Sequence, residues 1–183
     1  MKITILNGDM QADGSGFSSY CARLAGQLQK EHTSELFNLA ELDLKYCRGC
    51  WDCWWKTPGE CTIKDDAGTI FRAVINADLV LFASPLRAGF TSSLLKKMTD
   101  RLIVLVHPYI ELRNGECHHI KRYDRYPDMG VIVQKEGDTD DEDLGIVNDI
   151  YDRLAINFHS TVRLFQTMDG TSVKELCDAI SAV

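Results

Sequence analysis

Long apolar runs are missing from this 183-residue chain. The N-terminal stretch from Ile3 to Leu6 falls far short of the roughly 7–15 apolar residues of a signal peptide. No run approaches the roughly 20 needed for a membrane-spanning helix. A cytoplasmic protein with no membrane partner is the expectation. An excess of basic residues is missing too. The 20 Lys and Arg stand against 27 Asp and Glu, giving a formal net charge of -7. Such a surface repels a phosphate backbone, so nucleic acid is not an expected partner. No Gly-Lys-Ser/Thr and no GxGxxG occurs in the loop after the first strand, which excludes a Walker A loop and the dinucleotide fingerprint there. No serine sits on a Gly-x-Ser-x-Gly elbow. Repeats, low-complexity segments and linkers are absent, and the 45% apolar and 26% charged content is that of an ordinary globular chain. The length suits one domain with a single buried core.

What is present is an alternation of strands and helices. The stretches KITIL (2–6), SELFNL (34–39), DLVLFAS (78–84), MGVIVQ (129–134) and TVRLFQ (161–166) read as five apolar strands. Helices are expected over 20–31, 65–77, 92–106, 139–158 and 172–183, with Thr139 and Glu142 spaced as a capping box. A hairpin is expected over 108–120 around Asn114-Gly115. This pattern predicts an α/β fold of three layers with a five-stranded parallel sheet in the order 2-1-3-4-5. Ligands in such a fold bind beyond the carboxyl ends of the strands, where the order switches between strands 1 and 3. Those ends are the loops at 7–19 and 84–91, with 135–141 beside them.

The first of these loops, NGDMQADGSGFSS, leads into a helix and carries Ser15, Ser18 and Ser19. Backbone N–H groups ending at a helix N-terminus form a natural phosphate cradle. A plain turn capped by Ser18 is the alternative. Asp9 and Asp13 are anionic, and no Lys or Arg lies in the loop. The second loop, SPLRAGFTSS, offers Leu86 and Phe90 to a flat aromatic ligand and Gly89 for close backbone approach. Alternatively, both apolar side chains pack on the adjoining helix.

Seven cysteines in a reducing compartment suggest metal or redox chemistry before disulfides. Four of them, Cys47, Cys50, Cys53 and Cys61, fall in CRGCWDCWWKTPGEC with all three tryptophans. Thiolates at these intervals can wrap a [4Fe-4S] cubane, one per iron corner. Zinc or a redox Cys-x-x-Cys pair is less natural here. A lid of Cys and Trp packing as apolar groups, covered by a partner subunit, is equally open. His118 and His119 are adjacent on a strand and point to opposite faces, so a shared ion is not expected. Residues Lys121 to Tyr126 form a basic and aromatic cluster, and EGDTDDED (136–143) an acidic loop. A receiver domain is excluded because Ser84-Pro85 stands where an acidic residue is needed.

Together, ITILNG, the hydroxyl-rich loop, the cysteine run with DD after it, and ADLVLFASPLRAGFTSSLLKKMTDRL resemble the flavodoxin-like NAD(P)H-dependent FMN reductases, and within them the iron-sulfur flavoprotein branch. The resemblance covers residues 2 to 105. It implies one flavodoxin-like domain over 1–183, with a cysteine-rich loop at 46–62 and a hairpin insertion at 107–127. It implies FMN, with its phosphate at Asp9, Ser15, Gly16, Phe17, Ser18 and Ser19 and its ring at Pro85, Leu86, Arg87, Ala88, Gly89 and Phe90. It further implies NAD(P)H as electron donor, an oxidoreductase activity toward an unidentified acceptor, and a homodimer or homotetramer. Two positions depart from the family pattern. Asp9, Met10 and Gln11 follow Gly8 where Ser-Pro-Arg is usual, and Arg87 replaces an aromatic residue.

Overall fold

The structure, a computed structural model, describes residues 1–11, 16–113 and 115–183. Ser15, from the expected phosphate cradle, and Asn114, from the expected hairpin turn, lie outside the described residues. The first half of the chain runs β1 (Lys2–Asn7), α1 (Gly16–Leu28), β2 (Thr33–Asn38), α2 (Asp52–Trp55), α3 (Ala67–Ile75), β3 (Leu79–Arg87), β4 (Phe90–Thr91) and α4 (Ser93–Arg101). The second half runs β5 (Val106–Arg113), β6 (Glu116–Lys121), β7 (Asp128–Gln134), α5 (Asp141–Asn157), β8 (Val162–Thr167) and α6 (Val173–Ser181).

Strands pair in parallel in the order β2-β1-β3-β7-β8, the arrangement expected from the alternation of strands and helices. β4 was not expected. It folds back antiparallel on the end of β3, pairing Arg87 with Phe90. Side chains alternate across the sheet because strand periodicity is two. Ile3, Ile5, Leu79 and Leu81 face α1 and α6, where Phe17, Leu24 and Ile180 complete one core. Leu6, Val80, Phe82 and Val131 face α3, α4 and α5, where Ile70, Leu95, Met98 and Tyr151 complete the other. Among the described residues no helix is long and apolar enough to cross a membrane.

Two helix starts differ in detail from the expectation. α5 is capped by Asp140, whose carboxylate accepts the backbone N–H of Glu142 at 2.9 Å and of Asp143 at 3.0 Å, and Asp143 returns the bond to Asp140. The capping box therefore sits one residue later than Thr139 and Glu142, because Thr139 is occupied accepting the N–H of Glu136 at 2.9 Å. α1 begins at Gly16, so Ser18 lies inside its first turn and is not its cap.

Candidate functional site

The loops after β1 and β3 meet at the carboxyl edge of the sheet. The Gly8 N–H donates to the carbonyl of Ala83 at 2.8 Å. Ser84 accepts the N–H of Ser92 at 2.9 Å, and Ser92 caps α4 by accepting the N–H of Leu95 at 3.1 Å. The Ser92 hydroxyl also donates to the Gly8 carbonyl. Gly8 is required at this junction, since a Cβ would lie 2.5 Å from the Cβ of Leu95 and 3.0 Å from Ser92 Oγ. The start of α4 is thereby locked against the first loop.

The first loop is closed by its own polar groups. Asp9 is buried, with 4% of its surface exposed. Its carboxylate accepts the Ser18 hydroxyl at 3.0 Å and the Gln11 N–H at 3.1 Å. The Asp9 N–H donates to Asn7 Oδ1 at 3.0 Å, and Asn7 Nδ2 donates to Ser18 Oγ at 3.0 Å and to Asn38 Oδ1 at 3.1 Å. Of the other expected phosphate contacts, Gly16 and Ser19 are exposed. Phe17 is buried with Ile3 and Leu24 in the core beneath α1, which leaves its backbone as the part that could face a phosphate.

At the second loop, β3 and β4 form a tight hairpin whose two central residues, Ala88 and Gly89, have φ of 50° and 72°. Hairpins of this length require positive φ at both positions, which glycine adopts readily and alanine does not. A Cβ on Gly89 would lie 2.7 Å from Asp143 Oδ1. Glu136 clasps the turn from outside, accepting the Ala88 N–H at 2.7 Å and pairing with Arg87 at 3.3 Å. The acidic loop thus serves as the start of α5 and as a strap on the turn. Pro85 and Leu86 are buried, Leu86 fully. Leu86 packs in the core with Phe82 and Leu95, the alternative left open from sequence, and Phe90 is half-buried against the same core. Arg87 and Ala88 are exposed.

The cysteine loop is tied at its neck. Asp66 accepts the Asp43 N–H at 2.8 Å, and Asp65 accepts the Lys45 N–H at 2.8 Å, so the paired aspartates join the entry of the loop to its exit. Arg101 from α4 forks onto the Asp65 carboxylate, donates to the Lys45 carbonyl at 3.0 Å, and places a nitrogen 3.5 Å from Cys61 Sγ. Both side chains of this ion pair are out of solvent. Burial alone would raise the pKa of Asp65. The Arg101 hydrogen bonds and the Lys45 N–H outweigh burial and hold it below its ordinary value near 3.8. A cleft of about 450 Å³ lies beside Cys61, bordered by Gly59, Lys64, Arg72 and Tyr123.

Within the loop, Gly49 and Trp51 flank Cys50 with φ near 62° and 63°. Cys47 and Cys50 are exposed, while Cys53 and Cys61 are half-buried. The thiol of Cys53 is raised by burial and then by the nearby Cys61, Cys47 and Cys50. The four sulfurs therefore bear on one another. Among the described residues, however, no three His, Cys, Asp or Glu side chains are gathered as metal ligands. Trp54 is buried and donates its indole N–H to the carbonyls of Val106 at 3.1 Å and Ile103 at 3.2 Å, anchoring the loop to the start of β5. Trp51 and Trp55 are exposed.

The remaining clusters have structural roles. Arg125 pairs with Asp78 at 2.8 Å, Arg122 donates to the Val106 carbonyl at 3.1 Å, and Tyr126 accepts the Arg122 N–H at 2.8 Å. His118 is buried against Glu116 at 3.0 Å. Asn7, Glu136 and the Asp65–Arg101 pair were not singled out from sequence. The last two act across 48 and 36 residues of chain, where no local pattern signals a contact.

The strand order switches between β1 and β3, and the two loops locked together there lie at the carboxyl edge, so the chain has the flavodoxin-like doubly wound arrangement in which ligands bind at the switch point. The chain belongs to the NADPH-dependent FMN reductase family, whose sequence model matches residues 1–116. An iron-sulfur flavoprotein of Methanocaldococcus jannaschii is 30% identical over 101 residues, 55% of this chain and 51% of that protein. The chain spans about half the length of the curated relatives it matches. The fold is also that of an FMN-dependent NADH-azoreductase from Bacillus anthracis (TM-score 0.64, 18% identity, 98% of this chain and 97% of that one). An NAD(P)H:quinone oxidoreductase from Methanothermobacter marburgensis shares it as well (TM-score 0.62, 16% identity, 98% and 91%).

Proposed function

We propose that the protein is an FMN-dependent oxidoreductase that takes electrons from NADH or NADPH and delivers them to an acceptor. The observation that carries this reading is the family match over residues 1–116, which contains both loops of the switch point. A bound flavin supplies the hydride and one-electron chemistry, and the protein supplies position and polarity. The ring end of the site suits such a guest. The Ala88–Gly89 turn is strapped by Glu136 and ends the strand whose Ala83 carbonyl holds the Gly8 junction. Pro85 and Leu86 support it from the core, Phe90 flanks it, and Arg87 is the cation at its edge. Gly16, Ser18 and Ser19, with Ser15 expected beside them, are the candidates at the phosphate end. The buried Asp9 carboxylate does not suit a dianion there. It favours a second reading, a flavodoxin-like protein that has given up its cofactor and acts as an interaction module.

We assign Cys47, Cys50, Cys53 and Cys61 as candidate ligands of a [4Fe-4S] cluster. The donor type and the spacing of the four cysteines support this. The spread of the four thiols does not, and they would have to close around the metal. The exposed Trp51 and Trp55, with Ile110 and Leu112 on the hairpin, support a homodimer or homotetramer that covers them. The chain is proposed to act as a single flavodoxin-like domain in the cytoplasm, with loop 46–62 and hairpin 107–127 as insertions.

Anaerobic purification followed by an absorbance spectrum and quantitation of flavin and iron tests this reading. Flavin absorbance, and NADPH oxidation that accelerates when a quinone or ferricyanide is added, are expected. Protein that stays colourless with both FMN and riboflavin sinks the oxidoreductase reading. Flavin without iron removes the cluster alone.

A further inference from the structure

The phosphate end of the site is arranged in a way that the family assignment does not anticipate. A serine hydroxyl has one hydrogen to give. That of Ser18 goes to the Asp9 carboxylate at 3.0 Å, while its oxygen accepts from Asn7. Three backbone donors of the described part of the loop are likewise engaged: Gly8 N–H with the Ala83 carbonyl, Asp9 N–H with Asn7, and Gln11 N–H with Asp9 itself. A phosphate cradle works through donors left pointing at the anion. Here, among the described residues, the Ser18 hydroxyl and the Gln11 N–H are turned toward a carboxylate that the chain carries itself, and the Gly8 and Asp9 N–H groups are bound to other protein acceptors. The charge balance points the same way. No Lys or Arg occurs from residue 7 to residue 19. Arg87, the cation of the neighbouring loop, is paired with Glu136. A phosphate brought to this helix start meets a buried like charge that water screens weakly.

We propose that Asp9 occupies the anion position of the flavin site and cancels the affinity that the 5′-phosphate ordinarily adds. The protein then holds flavin by its ring and binds riboflavin at least as tightly as FMN. This rests on the flavin reading above and names the class of flavin that the site accepts. Asp9 is a specificity-determining residue in this account and takes no part in electron transfer.

The experiment is a fluorescence-quenching titration of the purified full chain, freed of any bound flavin, with FMN and with riboflavin. Wild type, Asp9→Asn and Asp9→Ser are compared. Asparagine keeps the shape and the acceptor oxygen but removes the charge. The expected wild-type result is a riboflavin Kd equal to or below that of FMN. Asp9→Asn is expected to tighten FMN at least tenfold while changing riboflavin by less than threefold. FMN binding tighter than riboflavin in the wild type, or an unchanged FMN-to-riboflavin ratio in the folded variants, overturns the inference and leaves the oxidoreductase reading standing. Failure of the wild type to bind either flavin overturns both. Should both variants fail to fold, the wild-type ratio decides.

Discussion

At the scale of single residues, Asp65 and Arg101 carry more consequence than their positions in the chain suggest. Neither is a cysteine, yet they hold the neck of the cysteine loop. Asp65 accepts from Lys45 and Arg101, and Arg101 reaches Cys61. Removing one partner of a buried ion pair strands the other, at a cost of about 3–5 kcal/mol. Asp65→Asn is expected to lose stability of about that size in urea unfolding at neutral pH. The pH dependence has a definite sign. The folded-state pKa of Asp65 is held below its unfolded value near 3.8. Its contribution is therefore full above that value and disappears as pH falls through the lower, folded-state pKa. The wild type and Asp65→Asn should converge in stability as the pH is lowered past 4 toward the folded-state pKa of Asp65. A difference that persists unchanged down to that range would mean that the carboxylate's charge is not what stabilises the neck.

At the scale of elements, the hairpin of β3 and β4 was not legible in the sequence, and its two turn residues explain why. The first, Ala88, is not a residue that signals positive φ. Gly89 was singled out for backbone approach, and the structure gives it a more specific duty beside Asp143. Opposite outcomes are expected at these neighbours. Gly89→Ala adds a strained φ and a clash with the α5 cap, costing about 1–3 kcal/mol. Ala88→Gly relieves a left-handed alanine, partly offset by chain entropy, for a gain of up to about 1 kcal/mol. Thermal and urea unfolding of both variants check the pair; equal effects of the same sign would contradict the turn geometry. The regular elements were legible because apolar periodicity is local: β1, β3 and β7 read as continuous apolar runs, and α1, α4 and α6 as amphipathic stripes. The cap of α5 sits one residue later because Thr139 is taken up by the Glu136 N–H, a contact outside the helix that the capping pattern does not signal. For Leu86 the sequence left both a ligand contact and core packing open, because an apolar residue in a loop gives no hint of which way it points, and its side chain lies in the core.

At the scale of the whole molecule, the strand order followed from the alternation of strands and helices, while the ties between loops did not. The segment matching SP…S…K…DR contains Ser84 and Ser92, which lock α4 to the first loop, and Arg101, which locks it to the cysteine loop. α4 is thus the element through which the flavin end and the cysteine end are joined. On the opposite face the packing rests mainly on burial. There α6 lies on α1, with Leu176, Cys177 and Ile180 completing the cluster built on Ile3, Leu24 and Leu28. Ile180 is fully buried. His32 also meets Ser181 at 2.9 Å and helps to fix this helix. Ile180→Ala is therefore expected to cost about 2–4 kcal/mol, as for a core position, measured by urea denaturation and followed together by far-UV and tryptophan signals. Every tryptophan lies in the cysteine loop, on the other side of the sheet. Coincident shifts of both signals would show the two faces unfolding as one unit. A loss under about 1 kcal/mol, or a helical signal that moves while the tryptophan signal stays, would mean that α6 opens on its own.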